Sequence, residues 1–71
     1  MITRYELHRS EDPSGISGTG KVAEAVRFSN GWTIVCWTIK PDKPSIVIYK
    51  DFLDAIAIHG HGGLTQFVEV P

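Results

Sequence analysis

The dipeptide Asn30-Gly31 lies between two strongly apolar runs, and this arrangement constrains the fold more than any other feature of the chain. Residues 21–29 precede it, and residues 32–39, Trp-Thr-Ile-Val-Cys-Trp-Thr-Ile, follow it. Asn-Gly is favoured in two-residue hairpin turns of type I′, because both central residues of such a turn need a positive φ. The sequence therefore predicts an antiparallel hairpin that turns at Asn30-Gly31.

Three further segments are predicted to be strands, and one is predicted to be a helix. Residues 3–8 alternate between polar and apolar side chains, and residues 45–49 and 65–70 are short β-prone runs. Residues 51–59 change to the helical period, and Asp51 is the predicted N-cap of a helix of about two turns. The predicted order is strand, long loop, strand, hairpin, strand, turn, strand, short helix, strand.

The acidic residue Glu24 does not fit the simple alternation of its strand. It shares a predicted face with Val22, Val26 and Phe28. Either the residue lies at a sheet edge, or a β-bulge shifts the register near it. The following run, residues 32–39, is apolar on both faces, and this predicts a central strand.

Together these segments predict a mainly β fold in a single small domain spanning residues 1–71. The chain has one cysteine, Cys36, so no disulfide can form within it, and we expect this residue to be inert in the core. Five short strands must hide their edges. Closure into a small five-stranded SH3-like barrel, with one short helix before the last strand, would do so. The alternative is an open antiparallel sheet of four or five strands with the helix packed on one face.

Charge and hydropathy exclude several classes of protein. The formal net charge is −1, so the chain is not a basic nucleic-acid binder by bulk charge, although residues 21–50 hold five basic and two acidic side chains. No apolar run approaches the roughly 18 residues of a spanning helix, and the N-terminus lacks an apolar signal region. We therefore expect no membrane partner and a cytoplasmic location.

Two motifs suggest chemistry but lack the partners that the chemistry needs. Residues 17–21, Ser-Gly-Thr-Gly-Lys, look like the end of a phosphate-binding loop, yet a strand is predicted after Lys21 where a helix is needed. His59 and His61 could chelate a metal, but no convergent third ligand can be assigned. No nucleophile–base pair is supported either. We expect no cofactor, no bound metal and no enzymatic activity.

The tryptophans offer a different kind of site. Trp32 and Trp37 have opposite strand parity, so one is predicted to be core and the other partly exposed. Together with the basic residues of the central segment, an exposed tryptophan could stack nucleic-acid bases. It could equally anchor a protein interface.

The long loop and the segment after the helix resemble a known family. The loop reads Ser-Gly-Ile-Ser-Gly-Thr-Gly over residues 14–20 and continues into Val22-Ala23-Glu24, and residues 58–65 read Ile-His-Gly-His-Gly-Gly-Leu-Thr. In this combination the chain resembles a family of small proteins of tailed phages and prophages, with haloarchaeal relatives. The resemblance implies a phage accessory protein that works in a host cytoplasm, and it supplies no catalytic residues.

The same two segments, residues 9–20 and 59–65, are predicted to meet and form one surface. The predicted binding residues are His8, Arg9, Asp12, Ser17, Thr19, His59, His61 and Trp37. A glycine-rich buried corner held by Asp and His hydrogen bonds would also explain all of these residues except Trp37. The leading hypothesis is a non-enzymatic protein-interaction module that engages a host or phage protein. The alternatives are nucleic-acid binding and capture of a small ligand or nucleotide, and homo-oligomerisation stays open.

Overall fold

The computed structural model describes residues 1–10, 19–39, 45–59 and 65–71, with His59 described by its backbone alone. Five strands and one helix follow one another in the predicted order. Every predicted segment is confirmed to within three residues at each end. The elements are β1 (Thr3–Arg9), β2 (Gly20–Arg27), β3 (Thr33–Trp37), β4 (Ser45–Tyr49), α1 (Phe52–His59) and β5 (Thr65–Val70).

The strands form one antiparallel sheet in the order β4-β3-β2-β1-β5. The mainly β class and the short helix before the last strand are confirmed. The SH3-like barrel is not confirmed, because β4 and β5 lie at opposite edges and the sheet does not close. Instead α1 packs over β3 and β4 and covers one face. A helix on one face shelters the apolar side chains that barrel closure would otherwise enclose, so the described part of the chain matches the open-sheet alternative.

The core lies between α1 and the sheet face beneath it. Its largest fully buried side chains are Leu7, Val22 and Val35, and the helix contributes Ala55. Phe52, at the start of α1, stacks on Tyr5 with ring centroids 4.8 Å apart. Alternation along β1 therefore places its apolar residues inward, as the sequence predicts. Three of the seven buried apolar residues in the described part of the chain are alanines, so the core formed by these residues is small.

A β-bulge in β2 resolves the position of Glu24. Leu7 pairs with Ala23 and His8 pairs with Lys21, so Val22 is the extra residue between them. Val22 and Ala23 are both fully buried, and the side chain of Glu24 lies on the opposite face of the sheet. The bulge is thus the correct one of the two predicted explanations. It lets two consecutive residues reach the core and restores alternation after them.

The predicted hairpin is confirmed, although its turn is of another type. Phe28 N donates to Trp32 O at 2.8 Å, and Gly31 N donates to Phe28 O at 2.9 Å. The loop therefore has three residues, 29–31, rather than the two of a type I′ turn. Gly31 has a φ of +97°, as expected for the residue that ends a three-residue hairpin loop. Asn30 still contributes, since its Oδ1 accepts from Trp32 N at 3.1 Å.

Asp51 caps the helix as predicted. Its Oδ1 accepts a hydrogen bond from Leu53 N at 2.9 Å, and its carbonyl accepts one from Asp54 N at 3.1 Å. The Asp54 carboxylate also lies in the first turn, where the positive end of the helix dipole favours it. This cap fixes the start of α1, and only Lys50 and Asp51 separate the helix from β4. The short connection constrains the helix to lie back across the sheet.

Candidate functional site

The sheet face opposite α1, here called the open face, carries a cluster of exposed apolar side chains near β4. Val26, Ile34 and Ile48 are cross-strand neighbours in one row of this face. Ile46 is 63% exposed and Ile48 is 59% exposed, and Trp32 is 41% exposed. We define the open-face patch by its five most prominent members: Phe28, Trp32, Ile34, Ile46 and Ile48.

The open-face patch surrounds a shallow depression of about 500 Å³. Phe28, Trp32, Ile34 and Ile48 line it together with the polar residues of the hairpin loop. Monomeric proteins expose single apolar residues routinely, but contiguous patches mark sites of interaction. The patch therefore has the composition of a docking surface with a polar boundary on one side.

Next to the patch, on β1 and β2, the open face is charged but internally neutralised. The Glu6 carboxylate contacts His8 Nε2 at 3.0 Å and Lys21 Nζ at 3.7 Å, and Lys21 Nζ contacts Glu24 at 3.0 Å. The hydrogen bond from His8 lowers the pKa of Glu6, and Lys21 lowers it further. The hydrogen bond to Glu24 raises the pKa of Lys21. These exposed pairs contribute little stability, but they leave no uniform field of one sign beside the patch.

Two of the residues predicted for the binding surface, Arg9 and Trp37, lie together on the other face of the sheet. Arg9 is only 4% exposed, and its Nε donates to Thr65 Oγ1 at 3.0 Å. Its guanidinium carbon lies 5.6 Å from the centroid of the Trp37 ring. Trp37 is half-buried against the core. The buried cation is thus held by a hydroxyl and an aromatic face, which is the geometry of a packed structural corner.

The remaining predicted residues are placed only in part. His8 lies on the open face with Glu6 rather than beside Arg9, and Thr19 is exposed. Asp12, Ser17 and His61 lie outside the described residues, and so does the His59 side chain. The ends of the two polar segments do meet. Arg9, the first residue of segment 9–20, pairs with Gly20 of β2 on one side and with Thr65 of β5 on the other. Both ends of segment 9–20 and the last residue of segment 59–65 therefore lie side by side at one end of the sheet.

The described residues offer no site for the other chemistry considered. Lys21 lies in β2, so a strand follows the glycine-rich loop, and nucleotide hydrolysis by a phosphate-binding loop is not supported. No group of three metal-ligating side chains occurs among residues 1–10, 19–39, 45–59 and 65–71. Cys36 was expected in the core but is half-buried on the open face, opposite Ile46 and Glu24.

Within the part of the chain that the structure describes, no helix has the length and apolar character needed to cross a membrane.

Sequence reasoning missed most of the open-face patch. Of its five members only Trp32 was considered, as one of two tryptophans of which one was predicted to be exposed, and Trp37 was the one placed among the predicted binding residues. The signal that could have identified Ile46 and Ile48 is the run Ser-Ile-Val-Ile-Tyr of β4, which is apolar at both parities although it forms an edge strand. An edge strand with one open face should carry polar residues at alternate positions.

The fold and its surfaces define a small antiparallel sheet domain with one covering helix and an exposed apolar patch. The family model described as Acb5 phage protein matches residues 2–70. The chain therefore belongs to the Acb5 phage protein family. Neither the curated proteins nor the solved structures contain a match to this chain.

Proposed function

We propose that this phage protein is a non-enzymatic accessory protein that binds a host or phage protein through the open-face patch. The observation that carries the proposal is the contiguity of the patch. Five large apolar side chains adjoin one another on one side of the sheet, and two of them are more than half exposed.

The layout around the patch matches that of a protein interface. Protein interfaces have an apolar, often aromatic centre and a polar rim, and Trp is enriched among the residues that contribute most to binding. Here Trp32 and Phe28 flank the depression, the hairpin loop borders it, and the neutralised charges of Glu6 and Lys21 lie on the far side. A partner with an aliphatic or aromatic anchor would fill the depression.

The distribution of basic groups favours a protein partner over a nucleic acid. Single-strand binding needs cations beside the stacking aromatics. Arg27 instead lies with its guanidinium carbon 4.7 Å from the Phe52 ring centroid, on the helix face. Lys21 is engaged by Glu6 and Glu24. Of the basic side chains of the central segment, Arg27 is therefore directed away from Trp32, and the charge of Lys21 is neutralised.

The test is affinity capture from lysate of phage-infected cells, with wild type, Trp32→Ser and a matched control. Val68→Ser is the control, because Val68 is also apolar, 42% exposed and on the open face. It lies on β5, which is four strand spacings from β4 and therefore about 19 Å away. We expect a specific protein that Trp32→Ser depletes at least tenfold and Val68→Ser retains.

Two results would count against the proposal. One is the absence of any protein that distinguishes Trp32→Ser from wild type. The other is a bound component that nuclease removes and that fluorescence anisotropy shows to be salt-sensitive DNA or RNA, because that result would establish the nucleic-acid alternative. A thermal-shift screen of nucleotides on the same three proteins tests small-ligand capture, since a ligand of the folded state must raise its stability.

A further inference from the structure

The outer edge of the sheet at β4 presents backbone groups that no described strand uses. Phe28 N donates to Trp32 O at the hairpin and Thr38 N donates to Val22 O beyond the end of β3. Even-numbered residues of β3 therefore bond towards β2, and odd-numbered ones bond towards β4. Val35 pairs with Val47 in the β3–β4 ladder. The N–H and C=O groups of Ile46 and Ile48 therefore point away from β3, at the free edge.

β4 also lacks the usual protection of an edge strand. Native edges carry charges, prolines or bulges that prevent pairing with another chain. The five residues of β4 include no Lys, Arg, Asp or Glu, and no bulge interrupts its pairing with β3. The absence of charge concerns these five residues only, since Pro44 precedes β4 and Lys50 follows it. The opposite edge, β5, contains the exposed Glu69 within the strand itself. The two edge strands therefore differ in whether a charged residue within the strand opposes pairing with another strand.

We propose that the protein forms a two-fold symmetric dimer in which the β4 strands of two copies pair antiparallel about Val47. In this register Ile46 faces Ile48 of the second copy, and the two Val47 residues face each other on the axis. The outward groups of Ile46 and Ile48 then form four backbone hydrogen bonds. The strand is self-complementary in this register, because no like charges oppose each other and every outward group meets its counterpart.

The side chains support the same pairing. Ile46 and Ile48 of the two copies would form a cluster of four isoleucines on one continuous open face, where both residues are now more than half exposed. Paired β-branched residues stabilise neighbouring strands. A chain of 71 residues with a small core gains much from added apolar burial. A five-residue strand pair is at the small end of specific interfaces, so the dimer should form in a concentration-dependent way.

The dimer does not depend on the proposed function, although the two are compatible. The two-fold axis runs perpendicular to the sheet, so both helices lie on one side and both open-face patches lie on the other. Trp32 precedes β3 and is not an edge residue. Substitution of Trp32 should therefore remove partner capture and leave the dimer intact.

The register can be tested by disulfide crosslinking in a Cys36→Ser background. The two thiols introduced by Val47→Cys would lie on the axis, in a non-hydrogen-bonded pair with Cα atoms about 4.5 Å apart, which suits a disulfide. Ser45→Cys is the matched control. In the proposed register the two copies of position 45 would lie roughly 14 Å apart along the strands, which is too far for a disulfide. We expect rapid covalent dimer from Val47→Cys and at least tenfold less from Ser45→Cys.

Analytical ultracentrifugation of the unmodified chain provides the second measurement. We expect a monomer–dimer equilibrium, and we expect a double change of Ile46 and Ile48 to lysine to weaken it at least tenfold. Val68→Lys on the other edge should leave it unchanged, and circular dichroism checks that each variant is folded. A chain that remains monomeric at millimolar concentration overturns the proposal. So does equal crosslinking at positions 45 and 47, or a dimer that survives the lysine pair.

Discussion

Replacing Thr65 by Val tests whether the corner around Arg9 is a structural element or a binding site. Thr65 is 4% exposed, and its Oγ1 accepts the hydrogen bond from Arg9 Nε at 3.0 Å. Valine keeps the shape of threonine but cannot accept that bond. A hydrogen bond to a charged group contributes about 1.5–3 kcal/mol, and the cost is greatest when a buried partner is left behind. We therefore expect Thr65→Val to lower the free energy of unfolding by about 2 kcal/mol.

This loss is large for a domain of this size. Folded domains are stable by about 0.05–0.15 kcal/mol per residue, so a chain of 71 residues has a free energy of unfolding of about 4–11 kcal/mol. A loss of about 2 kcal/mol corresponds to a fall in Tm of about 8–16 °C in a domain of 60–100 residues. Urea denaturation followed by circular dichroism measures the free energy directly.

Thr65→Ser is the control, because serine keeps the hydroxyl and loses only the methyl group. We expect it to be more stable than Thr65→Val. Equal destabilisation by both variants would show that packing of the methyl group, rather than the hydrogen bond to Arg9, stabilises the corner. A Thr65→Val protein as stable as wild type would refute the structural reasoning. It would then favour a role for Arg9 in binding.

Further predictions concern the core, the turn, the cap and the charged pairs. Leu7→Ala removes the largest fully buried side chain among the described residues and should cost about 2–5 kcal/mol in urea denaturation; a cost below about 1 kcal/mol would contradict the assigned core. Gly31→Ala should cost about 1–2 kcal/mol in thermal unfolding, because alanine is strained at a φ of +97°. Asp51→Ala should cost about 1 kcal/mol, while Asn at this position should keep the cap to Leu53 N and most of the stability. Because the pKa of Glu6 is lowered in the folded protein, its carboxylate stabilises the fold at every pH above 4.5, the ordinary pKa of glutamate. This contribution is lost as the pH falls through the lowered pKa. NMR titration of the Glu6 carboxyl carbon should show this pKa rising in His8→Ala, and an unchanged value would exclude the His8 hydrogen bond as its cause.

The local elements of the fold could be predicted from the sequence because short-range chemistry determines them. The hairpin at Asn30-Gly31 and the cap at Asp51 depend on residues within a few positions of each other. The misfit of Glu24 indicated either a sheet edge or a bulge, and the pairing of β2 with β1 decides between them. The type of turn was not predictable in this way. It depends on whether Ser29 pairs or joins the loop, and the ladder between β2 and β3 decides that.

Sheet closure and the distribution of exposure depend on long-range packing, which the pattern of one chain does not contain. The apolar run of β3 predicted an interior strand correctly, yet it could not show which of its faces the helix would cover. Cys36 and Ile34 consequently lie on the open face rather than in the core. The sequence placed Arg9 and Trp37 together in one predicted binding surface. It could not show that both are packed against the core on the helix face, because that also depends on long-range packing.

The open face differs in character from one side of the sheet to the other, and this difference constrains what the face does. On β1 the exposed positions Arg4, Glu6 and His8 follow the rule that a solvated face is polar. On β3 and β4 the equivalent positions are Ile34, Ile46 and Ile48, and the rule fails. The exposed apolar residues of this face are thus concentrated on β3 and β4, and Val68 on β5 stands apart from them. The half adjacent to the unprotected β4 edge is the apolar one, as expected if both the edge and the face are covered when the protein acts.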